Sequence, residues 1–123
     1  MTENKSLNET GKLVENIIKG IQEKKGRQIV NLDLSGIENA VCNNFVVCHG
    51  DSNRQVSAIA DSVQETVRKN IHEKPWHKEG MHNADWILLD YADVVVHIFK
   101  EDTRRFYNLE GLWADAQIAE IKQ

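Results

Sequence analysis

The apolar positions along the chain change period several times, and each change marks an element. Leu13, Val14, Ile17, Ile18 and Ile21 recur at three and four residues, the spacing of a helix with one buried face. Gly26, after Lys24 and Lys25, predicts its stop. From Gln28 to Leu34 the period drops to two, with Val30, Leu32 and Leu34 on one side of a strand. Asn44–His49 carries the continuous run Phe45-Val46-Val47-Cys48, which suits a strand buried on both faces. Gly50 and Asp51 predict a turn, and Ser52 with Gln55 has capping-box spacing. The following helix has Val56, Ile59, Ala60, Val63 and Val67 as its stripe and ends between Lys69 and Glu73.

Pro75 and Trp76 open an extended piece towards Glu79 and Gly80, at an edge or a strand start because proline donates no amide hydrogen. Met81–Ala84 reads as a turn. Trp86–Asp90 and Val94–Phe99 are separated only by Tyr91–Asp93, too short a gap for a crossover, so a hairpin is expected with its valine-rich second strand central. Asp102 or Thr103 is placed to cap a short turn, and Leu109, Leu112, Trp113 and Ala116 repeat at helical spacing, interrupted by Gly111. The tail from Asp115 either extends that helix or is mobile, as are residues 1–10. The pattern predicts an α/β or α+β domain with a mixed sheet.

Composition narrows the class. The 123 residues, 41% apolar and 28% charged, suit one ordinary domain. No apolar run reaches the roughly 20 residues of a membrane span. Two cysteines, Cys42 and Cys48, form no disulfide framework and read as reduced, buried thiols, so a cytoplasmic location is expected. The net charge of -4 is divided as +2 over residues 1–30 and -6 over the rest, which disfavours a large nucleic-acid footprint.

Candidate chemistry is sparse. His72, His77 and His82 recur every five residues, a spacing without helical or strand logic, and with His49 and His97 they make no recognisable zinc pattern. Solvated histidines and a structurally held His97 are preferred. Asp90 and Asp93 flank Tyr91; they suit a turn, a cation or a partner contact. Cys48 and His49 point to opposite strand faces and do not imply an activated nucleophile. Arg54 lies in a first helical turn, where its charge is disfavoured unless a carboxylate such as Asp51 offsets it. On the hairpin, Trp86, Leu88 and Asp90 share one face while Ile87, Leu89 and Tyr91 share the other. Two large apolar faces, with Phe106, Tyr107 and Trp113 as a second aromatic group, suggest an external apolar patch among them.

The residues also carry a family resemblance. Phe45-Val-Val-Cys-His-Gly-Asp-Ser-Asn-Arg-Gln-Val56, Ala58-Ile-Ala-Asp61, Glu79-Gly80, the whole stretch Trp86–Phe99, and Arg105-Phe-Tyr-Asn-Leu-Glu-Gly-Leu-Trp113 resemble the ribosomal silencing factor (RsfS/Iojap) family across residues 11–116, leaving 117–123 as a tail. The resemblance implies a single α/β domain with a mixed sheet of roughly five strands, nucleotidyltransferase-like but without the catalytic carboxylates. It implies no enzymatic reaction and no cofactor or metal. The implied activity is repression of translation by binding a large-subunit ribosomal protein (number fourteen) at the intersubunit face, sterically blocking subunit association. A homodimer is implied for the free protein, with no membrane partner and no dominant nucleic-acid contact. Trp86 and Tyr91 become candidate contacts oriented by Asp90, and Arg54, Glu79, His97, Arg105 and Tyr107 candidate contacts or supports. The chain departs from the family at Cys42-Asn43-Asn44, where Ala-Asp-Tyr is common, and at Gly111. A metal-dependent nucleotidyltransferase-like enzyme using Asp90 or Asp93, and an RNA-binding module using Lys24, Lys25, Arg27, Arg104 and Arg105, stand as alternatives.

Overall fold

A computed structural model describes residues 7–40, 42–113 and 116–121. Its elements run α1 (Leu7–Glu23), β1 (Arg27–Asp33), β2 (Asn44–Gly50), α2 (Asn53–Ile71), β3 (His77–Glu79), β4 (Trp86–Asp90), β5 (Val94–Lys100), α3 (Glu101–Tyr107), α4 (Leu109–Leu112) and β6 (Gln117–Ile121). The strands form one mixed sheet in the order β3-β4-β5-β2-β1-β6. β2 and β5 pair in parallel at its centre, and the other neighbours are antiparallel.

The sheet has six strands rather than five. The tail supplies the sixth: Gln117–Ile121 pairs with Asp33–Ile29, corrects the expected helix extension or mobile end, and leaves positions 115, 122 and 123 outside the described residues. Its sequence hides this role because every position but Ile121 is exposed, so no buried alternation marks the strand. At the other end, α1 begins at Leu7, inside the lead-in expected to be flexible; residues 1–6 lie outside the described residues.

One sheet face is covered by α1 and α2. Leu13, Ile17 and Ile21 meet Val56, Ile59, Val63 and Val67 over Val46, Cys48, Ile87, Leu89, Val96 and Ile98. The helices approach closely at Gly20, where Ser62 Oγ donates to the Gly20 carbonyl at 2.8 Å. A Cβ at position 20 would lie 2.7 Å from Val63 Cα. The glycine that weakens the helix locally is what lets the two helices touch.

The capping prediction holds with one change. Ser52 Oγ accepts the Gln55 amide at 3.1 Å, but Gln55 Oε1 accepts the amide of Asp51, one residue before the cap, at 2.7 Å. Asn53 Nδ2 then donates to the Asn83 and Ala84 carbonyls and to Asp85 Oδ1, pinning the turn that precedes β4. Neither Asp102 nor Thr103 caps α3: its N-cap is Lys100, without a side-chain bond.

Candidate docking face

The second sheet face is only partly covered. Facing residues in register share a side, so β4 and β5 set Trp86 beside Phe99, Leu88 beside His97 and Asp90 beside Val95. β3 adds Glu79 opposite Leu88 and His77 opposite Asp90, while β2 places Phe45 beside Val95. Gly80, at φ 79°, ends β3; a Cβ there would run into the Trp86 carbonyl, so glycine permits the close approach that seats β4.

Aromatic rings fill this face. Trp86 packs on Phe99 at 4.7 Å and on Tyr107 at 4.8 Å, and Tyr107 meets Phe106 edge-on at 5.0 Å. His97 meets Phe45 edge-on at 4.7 Å, and Trp113 meets the same phenylalanine at 5.7 Å. Phe106 is 81% exposed and Leu112 76%, whereas Trp86 is half-buried. The helix predicted from the spacing of Leu109, Leu112, Trp113 and Ala116 is shorter in the structure: α4 is a single turn from Leu109 to Leu112 in which only Leu109 is buried. Trp76, 84% exposed beside β3, is a further exposed aromatic that the sequence pattern did not single out, since it sits outside any periodic run.

The Trp86 indole N–H donates to His97 Nδ1 at 3.1 Å. Burial pushes the His97 ring down to about 4, so it is neutral near pH 7. Asp90 Oδ1 accepts the Ala92 amide at 2.7 Å and thereby fixes the hairpin turn, where Ala92 has φ 76°. Glu79 holds His77 at 2.7 Å. The face thus gathers Trp86, Asp90, Glu79, His97 and Tyr107 from four elements.

Three residues singled out from the sequence stand apart. Tyr91 is 1% exposed on the opposite, helix-covered face, which corrects its assignment as a surface anchor: alternation along β4 turns it into the core with Ile87 and Leu89. Burial raises its phenol well above the ordinary range. Arg54 is exposed in the first turn of α2, and its anticipated partner Asp51 instead pairs with Arg27 at 3.3 Å. Arg105 is exposed, with Glu101 as its ion-pair partner at 3.3 Å.

Arg104 changes role most. As a candidate RNA contact it would need exposure, yet it is 7% exposed. Its guanidinium donates to the Gln28 carbonyl at 2.8 Å, lies 2.9 Å from His49 Nδ1, and pairs with Glu110 at 2.7 Å. Gln28 has φ 48° within the bulge of β1, so Arg104 ties α3 and α4 to an irregular strand. Burial, and then the Arg104 charge, lower the His49 pKa. The charged side chain that looked available for a phosphate is a structural clamp.

Burial raises the Cys48 thiol to about 12 and the Cys42 thiol to about 11, which suits inert thiols. Among the described residues no group of three His, Cys, Asp or Glu could hold a metal ion, and no helix is long and apolar enough to cross a membrane.

Comparison with known proteins decides the family. The family model described as "Ribosomal silencing factor during starvation" matches residues 7–123. The chain belongs to the ribosomal silencing factor family. It is 43% identical over 100 residues to Ribosomal silencing factor RsfS of Bacillus subtilis, covering 80% of this chain and 82% of the relative. The Halalkalibacterium halodurans RsfS is 38% identical over 110 residues, covering 89% and 92%. A solved Chromobacterium violaceum structure superposes with a TM-score of 0.79 at 34% identity, covering 85% of each chain. A solved Bacillus halodurans structure gives 0.75 at 34%, covering 92% of this chain and 99% of that one. The family model and both curated relatives carry the name ribosomal silencing factor, which names no catalytic reaction.

Proposed function

We propose that this chain represses translation by docking its Trp86 face on large-subunit ribosomal protein fourteen and covering the surface where the small subunit joins. The observation that carries this reading is the aromatic face itself. One side of the sheet is sealed by two helices, whereas the other leaves Trp86, Tyr107, Phe106 and Leu112 partly or largely open. Aromatic side chains with restricted rotamers bury large areas at low entropy cost, which is why they dominate interfaces. Glu79 and Asp90 border the patch, and such acids favour approach to a basic ribosomal protein.

The reading needs no turnover. A domain of this size blocks a joining surface by occupying it, and it acts in the cytoplasm, where subunits associate. It includes a homodimer as the free form and a nucleotidyltransferase-like strand arrangement put to use as a scaffold.

Co-sedimentation with isolated large and small subunits, with reassociation followed in the same samples, tests the proposal. The expected result is binding to the large subunit alone and reduced joining. Trp86→Ala should weaken binding by about 30-fold, the effect of losing one central aromatic anchor. Unchanged affinity in a folded Trp86→Ala variant would reject this face. Large-subunit binding that leaves joining intact would reject steric occlusion.

A further inference from the structure

The Trp86–His97 bond has a chemical consequence for the docking face. Because Trp86 Nε1–H donates to Nδ1, that nitrogen must carry the lone pair, and the neutral ring's proton resides on Nε2. His97 is 5% exposed, and Nε2 is buried without a hydrogen-bond partner. The neighbouring rings of Phe45, Trp86 and Phe99 surround the imidazole, and none of them offers a conventional acceptor. A buried N–H without an acceptor is uncommon and costs free energy in the isolated chain. Here it occurs at the middle of the incompletely covered sheet face.

We infer that His97 is a specificity-determining contact whose Nε2–H receives a backbone carbonyl oxygen from the docked partner protein. The inference rests on the docking face proposed above and adds the chemistry it reads. A carbonyl suits the site better than a carboxylate. Glu79 faces Leu88, the register partner of His97, and Asp90 lies two residues farther along β4. Those acids disfavour a second negative charge and favour cationic side chains flanking the bound carbonyl. Nε2 is sealed in the isolated chain, so docking must part the side chains over the ring. Half-buried Trp113, after the one-turn α4, packs edge-on against Phe45, which itself meets the His97 ring edge-on. His97 therefore acts in two directions: Nδ1 positions the Trp86 anchor, while Nε2 selects an acceptor.

Two amide substitutions separate those directions. His97→Asn retains an acceptor near Nδ1 but has no group at Nε2, whereas His97→Gln carries an amide donor near Nε2. Large-subunit affinity is measured by sedimentation for both, with folding checked by near-UV circular dichroism, and ring ¹⁵N NMR reads the tautomer of the free wild-type protein. The expected results are an Nε2–H tautomer, about tenfold weaker binding for His97→Asn, and recovery of part of that loss in His97→Gln, which restores the donor but leaves the Trp86 N–H without its Nδ1 acceptor. An Nδ1–H tautomer, wild-type affinity in His97→Asn, or equal weakening in two folded variants would overturn the donor assignment. Wild-type protein that fails to bind the large subunit would defeat the docking reading and this inference with it, whatever the tautomer. Large-subunit binding insensitive to Trp86→Ala would instead reject the face.

Discussion

Replacing Arg104 with methionine removes a buried cation while retaining much of its aliphatic length. In the native chain its guanidinium contacts the Arg27 and Gln28 carbonyls at 3.4 and 2.8 Å, His49 Nδ1 at 2.9 Å, and Glu110 at 2.7 Å. The side chains of the ion pair are 8% and 27% exposed, so Glu110 would lose its charge partner with only partial access to water. Removing one member of a buried pair costs about 3–5 kcal/mol; the exposure of Glu110 places this case near 3 kcal/mol. For a domain of this size, that corresponds to a fall in Tm of roughly 10 °C. Urea unfolding followed by far-UV circular dichroism measures the change directly. Glu110→Gln, which retains a neutral acceptor but leaves the more deeply buried cation without its counter-charge, should also destabilise, by about 1–3 kcal/mol. An Arg104→Met loss below about 0.5 kcal/mol would refute the clamp argument and return Arg104 to the pool of surface cations.

The pH dependence has a definite sign. Burial lowers His97 from 6.5 to about 4, so below pH 6.5 the unfolded chain takes up a proton that the folded chain refuses. Stability must fall as pH drops through that window, by roughly 3 kcal/mol from this ring at about 1.4 kcal/mol per pH unit, with His49 contributing in the same direction. Equal urea midpoints at about pH 7.5 and about pH 5 would contradict this. Tyr91→Phe should leave stability unchanged or raise it by up to about 1 kcal/mol, because the buried hydroxyl has no hydrogen-bond partner; a loss above about 1 kcal/mol in thermal melts would show that the hydroxyl is held. Gly20→Ala should destabilise by about 1–3 kcal/mol, since its Cβ would meet Val63 and Ser62 backbone. A calorimetric Tm equal to wild type would show that the helices separate without cost.

The helices α1 and α2, strands β1, β2, β4 and β5, and the hairpin were legible because each buries residues at its own period. The opposite faces of β4 were legible too: Trp86 and Tyr91 lie five residues apart, and strand alternation places them on different sides. Alternation alone could not say which side was core. That depended on α1 and α2 covering the Tyr91 side while the Trp86 side received only the short helices and the C-terminal segment. β6 was illegible for a related reason. It is an edge strand held by backbone pairing to β1, and backbone bonds leave no residue-type pattern when almost every side chain is exposed.

Sequence by itself determined the family, the central elements and the aromatic content of the face, because these follow from residue identity and local period. Only the tertiary structure decided what the polar groups do. Arg104 and Arg105 are adjacent and chemically identical in the sequence, yet one is enclosed by a strand bulge and the other pairs with Glu101 at the surface. His97 likewise becomes a ring with an assigned proton only when the fold brings Trp86 across the strand pair to occupy Nδ1. Charge and hydrogen-bonding capacity belong to the residue; whether they are spent inside the molecule or left for a partner depends on neighbours distant in sequence, and those neighbours are set by packing.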